Sequence, residues 1–249
     1  MNIKFSIITI VYNSISNIER TIQSVLGQNY DNFEYIIIDG GSKDGTKDII
    51  LKYENQLKYW VSEKDNGISD AFNKGIGRAT GDYIGLLNAG DIYTENILSN
   101  LNEYILKAKK SNNQFNIFHG NIQMGIEKGK IYKPFDLQTF KSQMPIWHPT
   151  IFASNTCYSS LKYDINFKIA MDYDLFSKLY KMNANFNYID ILVTIMDLDG
   201  VSNFNAIRGF KEVMIASNKN LNVNRLISYI NFIYKCLIFK FRIYYKCLA

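Results

Sequence analysis

At 249 residues, 47% of them hydrophobic, the chain is long enough to bury a full core, as one large domain or two small lobes. Its three cysteines (Cys157, Cys236, Cys247) and two histidines (His119, His148) are too few and too scattered for a disulfide framework or a zinc site, so a reducing, cytoplasmic compartment is expected. The net charge of +5 is concentrated in residues 225–249, which hold Arg225, Lys235, Lys240, Arg242 and Lys246 and no acidic residue; the neutral remainder argues against a nucleic-acid partner, which more often meets basic residues spread over a folded face.

The chain enters an apolar run at once (KFSIITIV, residues 4–11), which predicts a buried strand and leaves no separable signal peptide. Ser16-Asn17-Ile18-Glu19 reads as a capping box opening a helix that runs to about Gln28. Phe33–Ile38 makes a second strand, ended by Asp39-Gly40-Gly41-Ser42. A helix follows from about Asp44, then a short strand near residues 59–62. Ile68, Ala71, Phe72, Gly75 and Ile76 recur at helical spacing, and the run Tyr83–Leu87 forms a strand that halts at Asn88-Ala89-Gly90-Asp91. This alternation, with nearly continuous apolar strands, predicts a parallel sheet covered on both faces.

The second half is less regular. Strands are expected over 115–133, around a turn at Glu127-Lys128-Gly129-Lys130. A loop containing Trp147-His148-Pro149 follows, then a helix over about 172–182, strands near 186–197, and helices from about 204 onward. No internal repeat or low-complexity tract occurs.

Several chemistries are excluded by what the chain lacks. Gly75-Ile76-Gly77-Arg78-Ala79-Thr80 begins like a dinucleotide fingerprint, but it misses the last glycine and lies in or late in a helix. No phosphate-binding GxxxxGK[ST] loop and no GxSxG elbow is present. What remains are carboxylates at strand ends: Asp39 after the second strand, Asp65 after the third and Asp91 after the fourth. Each alone could cap a helix. Three along one sheet edge suit a ligand site, because open α/β sheets bind ligands beyond the carboxyl ends of their strands. A nucleoside diphosphate fits such an edge, with Asp39 accepting from a base N–H and Asp91 holding Mg²⁺ or Mn²⁺ against the diphosphate.

The ordered motifs TIVYN (Thr9–Asn13), DGGSKDGT (Asp39–Thr46) and EKDNGISDAFNKGIGRATGDYIGLLNAGD (from Glu63 to Asp91) resemble those of family 2 glycosyltransferases over about residues 3–200. They are most similar to the branch that builds bacterial capsule, exopolysaccharide and O-antigen chains. The resemblance implies a GT-A fold, an α/β, mostly parallel sheet flanked by helices. It also implies metal-dependent transfer of a sugar, with inversion, from a nucleoside-diphosphate donor (a UDP-sugar foremost) to a lipid-linked or growing oligosaccharide acceptor.

By position, Thr9, Val11 and Asn13 would line the nucleotide pocket, Asp39 would contact the base, and Asp65 would lie near the nucleotide or donor sugar. Asn73 and Lys74 would border the same pocket, with Arg78 on a solvated face. NAGD occupies the place of the family's metal-binding DxD, with Asn88 where the first aspartate usually stands, so Asp91 would carry most of the metal contact. Lys168–Leu175 (KIAMDYDL) resembles the family's ED-Y-D-L segment, with Met171 in place of glutamate. Asp172 would then be the catalytic base, while Asp174 belongs to the helix. His148, in IWHPT, would reach phosphate or acceptor.

The resemblance divides the chain into a catalytic domain over 1–200, with a nucleotide-sugar half (1–110) and an acceptor half (111–200), and a helical, basic-aromatic extension over 201–249. On a helix, Lys235, Arg242 and Lys246 fall within an arc of about 40°, and the flanking aromatics suit an anionic membrane surface. Docking at the inner face of the cell membrane is therefore expected, the alternative being a helix packed on protein. Competing readings are a catalytically dead sugar-nucleotide-binding protein and a sugar-nucleotidyltransferase. The latter would be expected to carry a Gly-rich basic loop where this chain reads VYNSISN.

Overall fold

The computed structural model describes residues 2–108, 113–126, 129–197 and 205–246. The chain divides into two compact units, grouped by spatial contact rather than by the sequence-order segments above. One comprises residues 1–134, 146–162 and 184–198, and the other 135–145, 163–183 and 199–249.

In the first unit, β1 (Phe5–Val11) is buried along its whole length and lies between β2 (Phe33–Asp39) and β4 (Tyr83–Asn88), parallel to both. β3 (Tyr59–Ser62) extends the parallel set beyond β2. Val11 is in register with Asp39, Asp39 with Ser62, and Ile10 with Asn88, so the four strands end along one edge. Helix α1 (Ile18–Leu26) covers one face, packing Ile18, Ile22 and Val25 into the cluster of Phe5, Ile7, Tyr35 and Ile37. Helix α3 (Ile68–Ile76) covers the other, since its Gly75 approaches Ile8 and Ile38 and strand side chains alternate between faces. A Cβ on Gly75 would fall 2.4 Å from Ile8 Cγ2, which is why glycine stands there.

The expected elements of the first hundred residues form, with one correction at α1. Asn17, not Ser16, is the residue preceding the helix, and its side chain makes no capping bond. The carbonyl of Ser14 accepts the N–H groups of Asn17 and Ile18 instead, and Glu19 is engaged by the Tyr53 hydroxyl at 3.0 Å. The helix after β2, α2, spans Thr46–Lys52.

Beyond the NAGD turn the sheet becomes mixed. The two-residue β5 (Ile92–Tyr93) and helix α4 (Ile97–Ala108) precede β6 (Asn116–Met124) and the short β7 (Lys130–Tyr132). Glu127 and Lys128 of the expected turn lie outside the described residues. β8 (Phe152–Ser154), helix α5 (Asn155–Ser160) and a single long strand β9 (Asn185–Met196) complete the unit. Among the described residues nine strands join one sheet, ordered β3-β2-β1-β4-β8-β6-β9-β5 with β7 beside β6. β8 pairs antiparallel with β4 and β6, β7 with β6 and β5 with β9, while β9 runs parallel to β6.

The second unit is helical: α6 (Met171–Lys181) packs on α7 (Ala206–Leu221), and α7 on α8 (Arg225–Lys246). The predicted outward basic arc on α8 needs correction. Lys235 faces inward, donating from Nζ to the Ser142 carbonyl at 2.6 Å, with Nζ 6.0 Å from the Phe210 ring centroid. Burial pulls its pKa below the ordinary lysine value. The side chains of Arg242 and Lys246 lie outside the described part. The exposed face is apolar instead, including Leu226, Ile230, Leu237 and Phe241, each more than half exposed.

A polar network ties the amino ends of β1, β2 and β4. Buried Glu34 accepts from Ser6 Oγ at 2.6 Å, from Thr80 N at 2.5 Å and from Thr80 Oγ1 at 2.8 Å, and pairs with Lys4 at 3.0 Å. Burial alone would raise its pKa, but these donors outweigh it and hold the carboxyl down at about 2. A folded-state pKa below the unfolded value contributes stability above pH 4.5 that is lost as pH falls toward 2. Glu34→Gln should therefore cost about 1–3 kcal/mol at pH 7, with the gap from wild type closing through that acidic window in denaturant titrations.

Candidate active site

At the carboxyl edge the loops after β1 and β2 are knitted together. Asn13 adopts a left-handed φ of 46°, from which its Oδ1 accepts Lys43 N at 2.9 Å and its own N–H donates to Ser42 Oγ at 2.7 Å. Ser14 N donates to Thr46 Oγ1 and Ile15 N to Asp44 Oδ2. Asp39 is fully buried beneath these loops. Its carboxylate accepts from Ser42 N at 3.0 Å, from Ser42 Oγ, and from Ser62 Oγ at 2.5 Å.

Thr9 and Val11 turn their side chains into the core. The Thr9 hydroxyl lies 2.9 Å from Tyr35 Oη, Val11 packs in the main cluster, and the Val11 carbonyl accepts Gly40 N. Of the TIVYN motif, the surface therefore receives Asn13 and also Tyr12, which is 65% exposed. The sequence reading did not single out Tyr12; a large aromatic directly after a buried strand at the carboxyl edge was the available signal.

Asp65 meets this group from the loop after β3. A Cβ on Gly40 would lie 2.6 Å from Asp65 Oδ2 and 3.3 Å from the Tyr12 ring, so Asp65 and Tyr12 both close on Gly40. Asp65 Oδ1 accepts Gly67 N at 2.8 Å at the start of α3. On that helix Lys74 reaches back to Glu63 at 2.7 Å and to Asp70 at 3.8 Å, and its pKa is raised by the Glu63 hydrogen bond. Asn73 lies beside Lys74 on α3. Arg78, past the helix end, stacks on Tyr59 at 4.5 Å at the exposed surface.

The NAGD turn forms the second group. Asn88 ends β4, and its amide nitrogen lies 3.1 Å from His148 Nε2, so the IWHPT loop and the turn come together. The His148 ring also meets Phe72 of α3 edge-on at 6.1 Å. Asp91 is 4% exposed. Its Oδ1 accepts Asp197 N at 3.3 Å, whereas its Oδ2 is buried without a hydrogen-bond partner, as is Asn88 Oδ1. Burial raises the Asp91 pKa to about 6, against the lowering influence of His148. Asp197 is itself ion-paired with Arg20.

Among the described residues, no three His, Cys, Asp or Glu side chains gather to hold a metal by themselves. A hard divalent cation that also takes phosphate oxygens needs only one or two protein carboxylates, and the orphaned oxygens of Asp91 and Asn88 are the donors it prefers.

In the second unit, Asp172 and Asp174 share the first turn of α6 but differ in environment. Asp172 is half-buried and accepts from the Tyr163 hydroxyl at 2.9 Å. Asp174 is fully buried between Lys178 (2.5 Å) and Asn220 (3.0 Å), which makes it a helix–helix tie. Glu212 of α7 accepts the N–H groups of Lys168, Ile169 and Ala170, bracing the loop that enters α6. Sequence reading missed Glu212, whose backbone partners at 168–170 lie more than forty positions away.

A parallel sheet edge carrying Asp39, Asp65 and Asp91, joined to a mixed second half and flanked by helices, is the α/β arrangement of the GT-A fold. The family model described as Glycosyl transferase family 2 matches residues 6–163, and the chain belongs to that family. An uncharacterized glycosyltransferase of Mycobacterium tuberculosis is 32% identical over 171 residues, 67% of this chain and 65% of that protein. TuaG of Bacillus subtilis, named for teichuronic acid biosynthesis, is 35% identical over 105 residues, 41% of this chain and 42% of its own. The chain thus spans just under two thirds of the mycobacterial relative. Among solved structures, S. aureus TarS 1–349 superposes with a TM-score of 0.69 at 18% identity, covering 93% of this chain and 71% of that one. The mannosyltransferase PcManGT of Pyrobaculum calidifontis, in complex with GDP-Man and Mn²⁺, gives 0.66 at 17%, covering 93% and 70%. These two likenesses show the fold.

A buried carboxylate whose folded pKa lies above its unfolded value costs stability that builds as pH rises from about 4 and is complete above the folded pKa, near 6 for Asp91. Asp91→Asn should consequently stabilise the unliganded protein by about 1–2 kcal/mol at pH 8. The advantage should vanish near pH 4, as read by thermal melts across that range.

Proposed function

We propose that this chain is an inverting, metal-dependent glycosyltransferase. It moves a sugar from a nucleoside-diphosphate donor, a UDP-sugar foremost, to a lipid-linked or growing saccharide in bacterial surface polysaccharide synthesis. The observation that carries the reading is the buried, half-unpartnered carboxylate of Asp91 at the carboxyl edge of a family 2 sheet. Supporting it, TarS 1–349 has been solved with UDP and with UDP-GlcNAc, PcManGT with GDP-Man and Mn²⁺, and TuaG is named for synthesis of a wall polymer.

On this reading Tyr12 offers its exposed ring to the base, while Asn13, Asp39 and Asp65 shape the nucleotide end. Asp39, already held by Ser42 and Ser62, is pre-oriented to accept a base N–H. Lys74 borders the pocket from α3, and His148 reaches phosphate or acceptor. Asp91, with Asn88 beside it, would hold Mn²⁺ or Mg²⁺, whose charge offsets that of the leaving diphosphate. Asp172 serves the acceptor. A sugar hydroxyl is a poor nucleophile until a carboxylate takes its proton during attack, and inversion requires that base on the face opposite the leaving group.

The test is release of nucleoside diphosphate from a panel of UDP- and GDP-sugars with Mn²⁺ and saccharide acceptors. Asp91→Asn should lower turnover by more than about 100-fold, since metal charge stabilisation is worth several kcal/mol. Asp172→Asn should lower it about 10²–10⁴-fold while leaving donor binding intact. Full turnover in Asp91→Asn would remove the metal role, and full turnover in Asp172→Asn would move the base elsewhere.

Helix α8 extends the proposal to an anionic membrane surface at the cytoplasmic side of the cell membrane. Among the described residues no helix is long and apolar enough to cross a membrane. The outward face of α8 is nonetheless apolar and aromatic, with Tyr229, Tyr234, Leu237 and Phe241 exposed and, among the described side chains, Arg225 and Lys240 as exposed cations. Such a face suits burial at the headgroup boundary, with about 1 kcal/mol from each cation near anionic lipid. Wild-type protein should float with phosphatidylglycerol-containing liposomes and lose that behaviour in Leu226→Glu/Leu237→Glu/Phe241→Glu, whose sites are solvent-facing. Equal flotation by both, or by neither, would return α8 to a protein-packing role.

A further inference from the structure

Helix α1 presents a polar row, Thr21, Ser24 and Gln28, to the segment that leaves β4, at the spacing of three and four that shares one helix face. Gln28 sits just past the helix end and continues the row. Thr21 is fully buried, and its Oγ1 both accepts Gly90 N at 2.8 Å and donates to the Asp91 carbonyl at 2.9 Å. Ser24 Oγ accepts Tyr93 N at 3.2 Å. Gln28 donates to the Thr94 carbonyl at 2.9 Å and accepts Leu98 N at 3.3 Å. Each polar side chain in the row bonds to residues 90–98, while Ser24 and Gln28 also donate back to the Thr21 and Ser24 carbonyls.

The neighbouring residue, Arg20, adds the electrostatic half. Its guanidinium pairs with the Asp197 carboxylate, while the Asp197 N–H holds Asp91 Oδ1 at 3.3 Å. Arg20 thereby offsets the charge of a second carboxylate beside Asp91. Gly90, at φ +110°, lies against this pair, its Cβ position 3.6 Å from Asp197 Oδ2 and 3.7 Å from Arg20 Nη2. Within the turn the fastenings of the Asp91 backbone and its neighbour are Asp91 N to the Asn88 carbonyl and Ala89 N to the Ile10 carbonyl. Neither directs the Asp91 side chain.

We infer that α1 is a positioning clamp for the donor site, in which Thr21 fixes the backbone of Asp91 and the Arg20–Asp197 pair fixes its carboxylate, so that the free oxygen is presented to the donor's metal and diphosphate. The inference rests on the donor-site reading of Asp91. Thr21 and Arg20 act through Asp91 and touch no substrate, so their contribution belongs to the metal-dependent part of binding. Asp197, neutralised by Arg20, orients Asp91 and is not a ligand.

The test uses the full chain and the probe pair UDP or GDP with Mn²⁺, with affinity measured calorimetrically with and without the metal. In wild type, Mn²⁺ should tighten nucleotide binding. In Thr21→Val, nearly the same size but without the hydroxyl, that gain should fall about 10- to 100-fold, as for other groups that orient metal ligands. Metal-free nucleotide affinity should stay unchanged, and Thr21→Ser should restore the gain. Should Thr21→Val fold poorly, Arg20→Met carries the same expectation, with recovery in Arg20→Lys. A full Mn²⁺ gain in folded Thr21→Val and Arg20→Met overturns the clamp alone, as does an equal loss of metal-free binding. Absence of any Mn²⁺ gain in wild type overturns the donor-site reading itself, and the clamp with it.

Discussion

Parallel, in-register pairing of β1 with β2 on one side and β4 on the other is the constraint on which the donor-side architecture depends. Because Val11 pairs with Asp39 and Ile10 with Asn88, the chain leaves all three strands at the same height. The loops that follow must share one edge of the sheet, where backbone groups are no longer consumed by the ladder. Asp39, Asp65 and Asp91 lie along one edge for that reason, although each follows a different strand. A one-residue slip of β4 would send Asn88 to the other face.

The two edges of the same strands are treated differently. At the amino edge Ser6, Glu34, Thr80 and Lys4 satisfy one another, so a buried carboxylate there stays ionised and stabilises the sheet. At the carboxyl edge Asn88 Oδ1 and Asp91 Oδ2 are buried without partners, and Asp91 is pushed toward the neutral form. Native interiors pair nearly all such groups. An unpaired carboxylate at a strand end is the feature on which the proposed donor site rests.

The second unit follows the same economy on a helical scaffold. Asp174 and Glu212 are consumed in tying α6 to α7 and in bracing residues 168–170. Asp172, two positions from Asp174, is only partly buried and accepts from the Tyr163 hydroxyl. Helix α8 turns Lys235 inward, where its long stem packs and its ammonium finds a carbonyl, and leaves Leu226, Ile230, Leu237 and Phe241 outward. That row is the surface the proposed membrane docking would bury.

Read alone, the sequence determined the elements whose signals are local: the apolar runs that became β1, β2 and β4, the helical spacing of Ile68–Ile76, and the carboxylates placed where those strands stop. Its ordered motifs also determined the family, since TIVYN, DGGSKDGT and NAGD keep their order along one sheet edge. The tertiary structure decided whatever depends on partners distant in the chain. Two-residue β5 and three-residue β8 carry too little pattern to announce themselves and form because β9 and β4 offer them ladders. Whether a polar side chain on a buried strand serves a pocket or the core, as Thr9 does with Tyr35, is settled by what the adjacent strand sets opposite it. The capping box at Ser16 gave way because Ser14 could satisfy the helix amides first. The basic arc of α8 was a correct statement of angle, but helix periodicity fixes only relative directions around the axis. Which side faces inward was decided by Phe210 and the carbonyl of Ser142, residues no periodicity could bring into view.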